Sequence, residues 1–294
     1  MINKDLSIND KIKKAQLLLK AIRKKGFEAF IVGGAVRDLL LNIPFNDVDI
    51  ITNGLYQEIK QFFICKKNNI EYGTFKIIFL KEKFEITTYR KEKLYLDYRN
   101  PRCVEFISDA KEDLKRRDFT INCFLMNEKL EIFDYVNGYN DLKKKFIRIV
   151  GDPFLKLTED VLRMMRVFVL QAKTNFKIDY RIQQILISNV FLLENLNPND
   201  IWKELKKITQ QKFFKQAFLS LKDTNAINYV KEFKEGILFV LKEKLEVIYP
   251  ELFLNLSFIL NPNIINSFSF SKKEKKRMNS LFCLYKISKN KLLN

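Results

Sequence analysis

The chain has 294 residues, no histidine, and 53 Lys and Arg against 35 Asp and Glu, for a net charge of +18. Without imidazole, Ser-His and Cys-His nucleophiles, His-ligated metals and imidazole proton transfer are excluded, so catalysis must run on carboxylates, Lys, Arg, Tyr and a metal held through oxygen. The positive field favours a polyanionic partner, with nucleic acid ahead of an anionic membrane surface because the charge is spread along the chain.

The first segment, "MINKDLSINDKIKKAQLLLKAIRKKG", reads as an amphipathic helix with no small-residue cleavage site, which makes the cytoplasm the expected compartment. No run of about 18 apolar residues suits a membrane span. "FEAFIV" then predicts a strand, Gly33-Gly34 a turn, and "AVRDLLLN" the start of a helix. "VDIIT" predicts the next strand, and "GTFKIIFLKEKFEITTYR" a hairpin around the charged turn Lys81-Glu82-Lys83. "VEFI" and "EIFDYV" are shorter strand-like runs. Near "GDPF" (Gly151 to Phe154) Gly and Pro break the pattern, and from Leu157 onward long Leu/Ile/Phe/Lys segments carry helical spacing. The expected fold is α+β: a head with a mixed β-sheet over 1–150, then an all-α neck and body over 151–294. In "TEDVLRMMR", Thr158 reads as a helix N-cap. "KKEKKR" (Lys272 to Arg277) reads as a solvated helix face, with phosphate contact as the alternative. Cys65, Cys103, Cys123 and Cys283 lie far apart and read as reduced, buried thiols.

Chemistry concentrates in "FIVGGAVRDLLLNIPFNDVDIIT". Glycines at a strand-to-helix turn let backbone N–H groups approach a ligand, and the helix N-terminus adds partial positive charge, which suits a phosphate. Arg37, on the first helical turn, can reach the same anion with its fork. Asp47 and Asp49 are two apart on the expected strand and point to one face, where adjacent carboxylates repel unless a cation lies between them. Oxygen ligands without histidine suit Mg²⁺, which binds one or two carboxylates together with substrate phosphates; the alternative is an exposed edge with two solvated acids. Glu85 alternates onto the same face as Thr87, as a third carboxylate near the metal or as a surface acid. Asp160 and Arg163, three apart, share a helix face with Arg166 a further turn along; an ordinary intrahelical ion pair is the plain alternative.

The order Gly-Gly-x-Val-Arg-Asp, then Asp-x-Asp, resembles the first motif of class II nucleotidyltransferases of the polymerase-β superfamily, the tRNA CCA-adding enzymes and bacterial poly(A) polymerases. The resemblance continues through "EDLKRRDFTINCFLMN" (Glu112 to Asn127) and "FDYVNGYNDLKKKFIRIVGDPFLKLTEDVLRMMR", ending at Arg166. It implies that Gly33, Gly34 and Arg37 hold the nucleotide triphosphate, that Asp47 and Asp49 hold catalytic Mg²⁺, and that Arg117 contacts the nucleotide. It further implies that Asp160 and Arg163 present a base-like edge to the incoming nucleotide, supported by Arg166. The implied reaction is CCA addition to tRNA from CTP and ATP; A-adding or poly(A) polymerase activity is the alternative, and an inactive RNA-binding homologue a third possibility. "RKEKLYLDYRNPRCVEF" (Arg90 to Phe106) resembles the flexible loop of CCA-adding members. The chain departs from the family at Val169, where many members have arginine, and at "NPND" before "IWKEL".

Overall fold

The computed structural model describes residues 8–95, 98–99 and 101–292. Residues 1–7 of the expected N-terminal helix, and 96, 97 and 100 of the expected Arg90–Phe106 loop, lie outside the described residues. Two compact units divide the chain: Met1–Leu96 with Asn100–Asp152, and Asp97–Arg99 with Pro153–Asn294.

In the first unit, α1 (Asp10–Lys24) starts where the Asn9 side chain accepts from the Ile12 N–H at 2.9 Å. Ile12, Ala15, Leu18, Leu19 and Ile22, spaced three and four apart, form its buried stripe and pack on the sheet. Each of the Ile and Leu side chains contributes about 1.5–3 kcal/mol by leaving water. β1 (Ala29–Val32) runs through the Gly33 turn into α2 (Gly34–Leu41) and returns as β2 (Asp49–Thr52). The short α3 (Tyr56–Ile59) leads to β3 (Ile64–Lys67), β4 (Thr74–Phe79) and β5 (Glu82–Thr88). β6 (Arg90–Tyr95) and β7 (Pro101–Phe106) pair antiparallel as a separate ribbon within the stretch that resembles the family's flexible loop. α4 (Ala110–Lys115), β8 (Leu125–Met126), β9 (Ile132–Phe133) and α5 (Gly138–Lys144) follow.

The main sheet has the order β3-β4-β5-β2-β1-β8-β9, with β2 and β5 parallel and β1 antiparallel to β2. Phe30, Val32, Ile51 and Leu125 of this sheet pack with Tyr89, Leu114 and Cys123 in one core. The β4–β5 turn is tighter than expected: Phe79 pairs with Glu82, and Leu80 and Lys81 make the turn with φ of 48° and 64°. Two positive φ values are the hairpin-turn geometry that follows the twist of the strands. Glu82 and Lys83 are therefore strand residues. Gly138 lies so close under the Thr120 carbonyl that a Cβ there would sit 2.3 Å from the oxygen, which explains glycine at that site.

The second unit is helical: α6 (Pro153–Glu159), α7 (Leu162–Thr174), α8 (Tyr180–Asn189), α9 (Pro198–Thr209), α10 (Phe214–Asp223), α11 (Lys234–Lys242), α12 (Pro250–Leu260), α13 (Ile264–Ser267) and α14 (Lys272–Leu292). A two-residue strand, Lys177–Ile178, separates α7 from α8. α7 packs against α9 and α10. On α9, Trp202 stacks on Phe233 with ring centroids 5.2 Å apart, and Phe253 continues the stack. The "NPND" departure is a helix start: the Asn197 side chain accepts from Asn199 N at 2.8 Å and Pro198 takes the first turn. Lys272 to Arg277 are exposed on α14. Only Cys123 matches the buried-thiol expectation; Cys65 is half-buried, and Cys103 and Cys283 are exposed at positions whose neighbours leave them uncovered. Burial pushes the Cys123 thiol up to about 12, so it is inert at neutral pH. No helix among the described residues is long and apolar enough to cross a membrane.

Candidate active site

Gly33 turns the chain from β1 into α2 with φ 80° and ψ −146°, a conformation that side chains resist. The turn brings Gly33 against the site: a Cβ built on it would lie 3.5 Å from Asp49 Oδ2. Arg37, expected from its spacing to grip an anion, is instead buried beneath the turn. Its Nε and Nη2 donate to Asp38 Oδ1 at 2.9 and 2.7 Å, and its Nη1 donates to Asn122 Oδ1. The adjacent Asp38, 1% exposed, holds this fork in the structure. Gly34 leaves room for the guanidinium, since a Cβ there would be 3.3 Å from Arg37 Nη2.

β2 starts at Asp49, so Asp47 precedes the strand and does not lie on it as expected. The alternation nevertheless persists: Asp47 and Asp49 are exposed, whereas Val48 and Ile50 are buried. Both carboxylates therefore stand on the open side of the chain. Glu85 is the register partner of Asp49 across the parallel pair β2–β5, and Asn68 Nδ2 donates to its Oε2 at 3.3 Å. Asp49 keeps contact with solvent, yet the surrounding protein removes enough water to raise its carboxyl above the ordinary range. Glu85 adds to this rise, Arg117 opposes it, Asp47 adds further and Lys11 opposes. Two further carboxylates and two cationic side chains thus bear on Asp49.

Arg117 is supported from behind by Asp113, which was not singled out from sequence. Asp113 is fully buried; its Oδ2 accepts from Arg117 Nε at 3.2 Å and Nη2 at 3.1 Å. Its Oδ1 accepts from Arg116 Nε at 2.8 Å and from the Arg90 backbone N–H at 3.1 Å. Burial pushes the Asp113 carboxyl up, but Arg117 and Arg116 outweigh it and hold the group below the usual carboxylate range. The spacing of Asp113, Arg116 and Arg117 at i, i+3 and i+4 carried the signal for this node.

In the helical unit, Thr158 is not an N-cap: it lies inside α6 and its hydroxyl donates back to the Phe154 carbonyl at 2.8 Å. The chain breaks at Asp160, whose Oδ1 accepts from Leu162 N at 3.1 Å at the start of α7. Asp160 and Arg163 are 5% and 2% exposed, which rules out the exposed ion pair. Arg163 Nη1 donates to Glu159 Oε1 at 2.6 Å and to the Lys156 carbonyl at 2.9 Å, while its Nε is 3.9 Å from Asp160 Oδ2. Asp160 also lies 3.7 Å from Arg99 Nη1. Arg166 follows on the same side of α7 and is half-buried.

Among the described residues, no three or more Asp, Glu, Cys or His side chains are gathered as a ready-made metal cage. The donors still fit Mg²⁺. That ion takes hard oxygen ligands and commonly binds through two protein carboxylates, with substrate phosphates and water completing its shell. Asp47 and Asp49 are two exposed carboxylates of the kind such an ion takes.

Residues 29–148 match the family model described as the poly A polymerase head domain. The CCA-adding enzyme of Ligilactobacillus salivarius is 40% identical over 230 residues, covering 78% of this chain and 57% of that protein. The CCA-adding enzyme of Streptococcus thermophilus is 39% identical over 223 residues, covering 76% and 56%. A crystal structure of the Bacillus stearothermophilus CCA-adding enzyme in complex with CTP superposes with a TM-score of 0.72 at 28% identity, covering 80% of this chain and 58% of that one. Over residues 29–148 the chain is thus similar to the poly A polymerase head domain. Over most of its length the chain is, more narrowly, a homologue of bacterial CCA-adding enzymes, and it spans a little over half the length of the curated relatives it matches.

Proposed function

We propose that this chain is a Mg²⁺-dependent nucleotidyltransferase that adds the terminal CCA of tRNA from CTP and ATP, acting in the cytoplasm. The observation that carries the proposal is the carboxylate site: Asp47 and Asp49 beside the Gly33 turn, with Glu85 opposite Asp49, in a chain homologous to CCA-adding enzymes. Asp47 and Asp49 would hold the metal, with Glu85 adding negative charge beside them. Bound there, Mg²⁺ would supply Lewis acidity, easing deprotonation of the attacking 3′-hydroxyl and balancing charge on the departing pyrophosphate.

The chain's own residues do the rest. The Gly33-Gly34 backbone offers N–H groups at the start of α2 to the triphosphate, and Arg37, locked on Asp38 and Asn122, holds that turn rigid. Arg117, fixed by Asp113, sets a positive charge toward the nucleotide. Asp160 only accepts and Arg163 only donates, so this pair can read the amino and ring-nitrogen pattern of C or A, with Arg166 in support. The 1–150 head would thus carry the chemistry, and 151–294 nucleotide selection and tRNA binding.

The family description itself favours one second reading, an A-adding or poly(A) activity. Incubation with tRNA lacking its 3′ end, Mg²⁺ and labelled CTP or ATP separates the readings. Two C followed by one A supports CCA addition. ATP incorporation without CTP replaces it with A addition, and no incorporation leaves an RNA-binding homologue.

A further inference from the structure

Asp47 has an unusual support. β2 begins two residues later, so the backbone of residues 46–48 lies outside the β2 ladders with β1 and β5. Val48, 3% exposed, anchors this limb from the buried side. Lys11 on the first turn of α1 reaches across 35 residues of sequence, and its Nζ donates to the Asn46 carbonyl, one residue before Asp47. Lys11 is not needed to hold α1 itself. That helix has the Asn9 cap and its own apolar stripe, and Lys14, on the next turn, pairs with Asp10 within the helix at 2.8 Å and ties the helix to Glu82 on β5 at 3.3 Å. α1 also lies outside the segment that matches the head family, residues 29–148.

We propose that Lys11 is a positioning residue for the carboxylate site: anchored on α1, its ammonium clamps the Asn46 carbonyl and holds the Asp47 limb beside Asp49. The helix ahead of the matched head is then a working part of the site as well as a packing element. This inference rests on the reading of Asp47 and Asp49 as metal ligands. A charged donor on a carbonyl makes a stronger hydrogen bond than a neutral one, and it acts where no strand ladder does. The partners behind a metal ligand set its orientation, and their loss commonly weakens metal binding about 10–100-fold.

The test uses the full chain with Lys11→Met, Lys11→Arg and, as a control on the same helix, Lys14→Met. Three readouts apply: amide hydrogen exchange over residues 45–48 without metal, Mn²⁺ binding followed by electron paramagnetic resonance, and kcat and KM for nucleotide incorporation. Lys11→Met should speed exchange over 45–48, weaken Mn²⁺ binding about tenfold, and lower kcat with the tRNA KM unchanged. Lys11→Arg should restore all three, and Lys14→Met should leave them near wild type. Unchanged exchange or unchanged Mn²⁺ affinity in Lys11→Met overturns the clamp, as does an equal loss in Lys14→Met, which would assign the effect to α1 packing. Wild-type protein that binds no Mn²⁺ overturns both the metal reading and the clamp. Wild-type protein that binds Mn²⁺ in a Lys11-dependent way but incorporates no nucleotide supports the clamp and overturns only the proposed reaction.

Discussion

Asp49 and Glu85 occupy the same register level on neighbouring parallel strands, and both side chains are exposed on the open face of the sheet. Two carboxylates across a strand pair repel, which costs on the order of 0.2–1 kcal/mol at such a site. The raised Asp49 carboxyl has a definite sign in stability. Asp49 holds its proton more tightly folded than unfolded, so its contribution favours the fold in acid and is lost as pH rises through the window just above the ordinary carboxylate range.

Asp49→Asn should therefore stabilise the metal-free protein at neutral pH while abolishing nucleotide incorporation. The expected gain in Tm is about 1–3 °C, since roughly 1 kcal/mol moves Tm by 2–4 °C in proteins near this size. The difference from wild type should close as the pH falls below the Asp49 window. Calorimetry across pH 3–7 (about the usual carboxylate range) checks it, and a destabilised variant at pH 7 counts against the repulsion.

Asp113 behaves in the opposite sense. Its carboxyl is depressed in the fold, so the stability it contributes is present above the ordinary carboxylate range and disappears as pH falls through the depressed value. Asp113→Ala would leave Arg116 and Arg117 without their buried partner, at a cost of about 3–5 kcal/mol. Urea denaturation at pH 7 measures this loss. An effect under 1 kcal/mol (roughly the level of a surface pair) would mean that the node is not the support it is described as.

Gly33→Ala places a Cβ at ordinary contact distance from Asp49, so crowding is not the difficulty; the φ of 80° is. The strain should cost about 1–3 kcal/mol. Relief by rotating the turn would also move α2 and Arg37, so incorporation should fall by more than the stability loss accounts for. Comparing Tm with kcat/KM for CTP in the same preparation decides this.

Arg163→Ala removes a buried donor that meets Glu159, the Lys156 carbonyl and Asp160. If Arg163 reads the base, UTP or GTP should compete with CTP, with preference eroded roughly ten- to a hundredfold for a contact of 1–3 kcal/mol. Single-nucleotide incorporation of all four NTPs on one tRNA measures the change. Wild-type selectivity in a folded variant would leave Arg163 a structural pair and nothing more.

The Gly33-Gly34 turn, β1 and the strands of the β4–β5 hairpin are legible in sequence because alternation and glycine act locally. The failures have equally local causes. Leu80 and Lys81 carry no Asn-Gly signature, so the positive-φ turn they make is invisible, and the charges beside them draw attention one residue too far. Arg37 reads toward an anion only while Asp38 goes unweighed, the partner one residue away that its fork meets in the structure. Thr158 passes for a cap because nothing in its neighbourhood announces the break at Asp160. Asp113 could have been found from its arginines on the next turn, but its link to the Arg90 backbone spans 23 residues and needs the fold. Lys11 leaves no trace at all: its partner is a carbonyl, which every residue has.

The stack of Trp202 on Phe233 places the chain's single tryptophan in the α9–α12 layer. Indole emission, excited where tyrosine does not absorb, is therefore a private reporter on that half of the polypeptide. Eleven tyrosines are spread over the chain and give an averaged signal by contrast. A melt followed by indole emission and again by far-ultraviolet dichroism, which weighs every helix, compares one half with the whole without a label. Coincident midpoints would identify one cooperative transition, and separated midpoints would show that the halves melt in sequence.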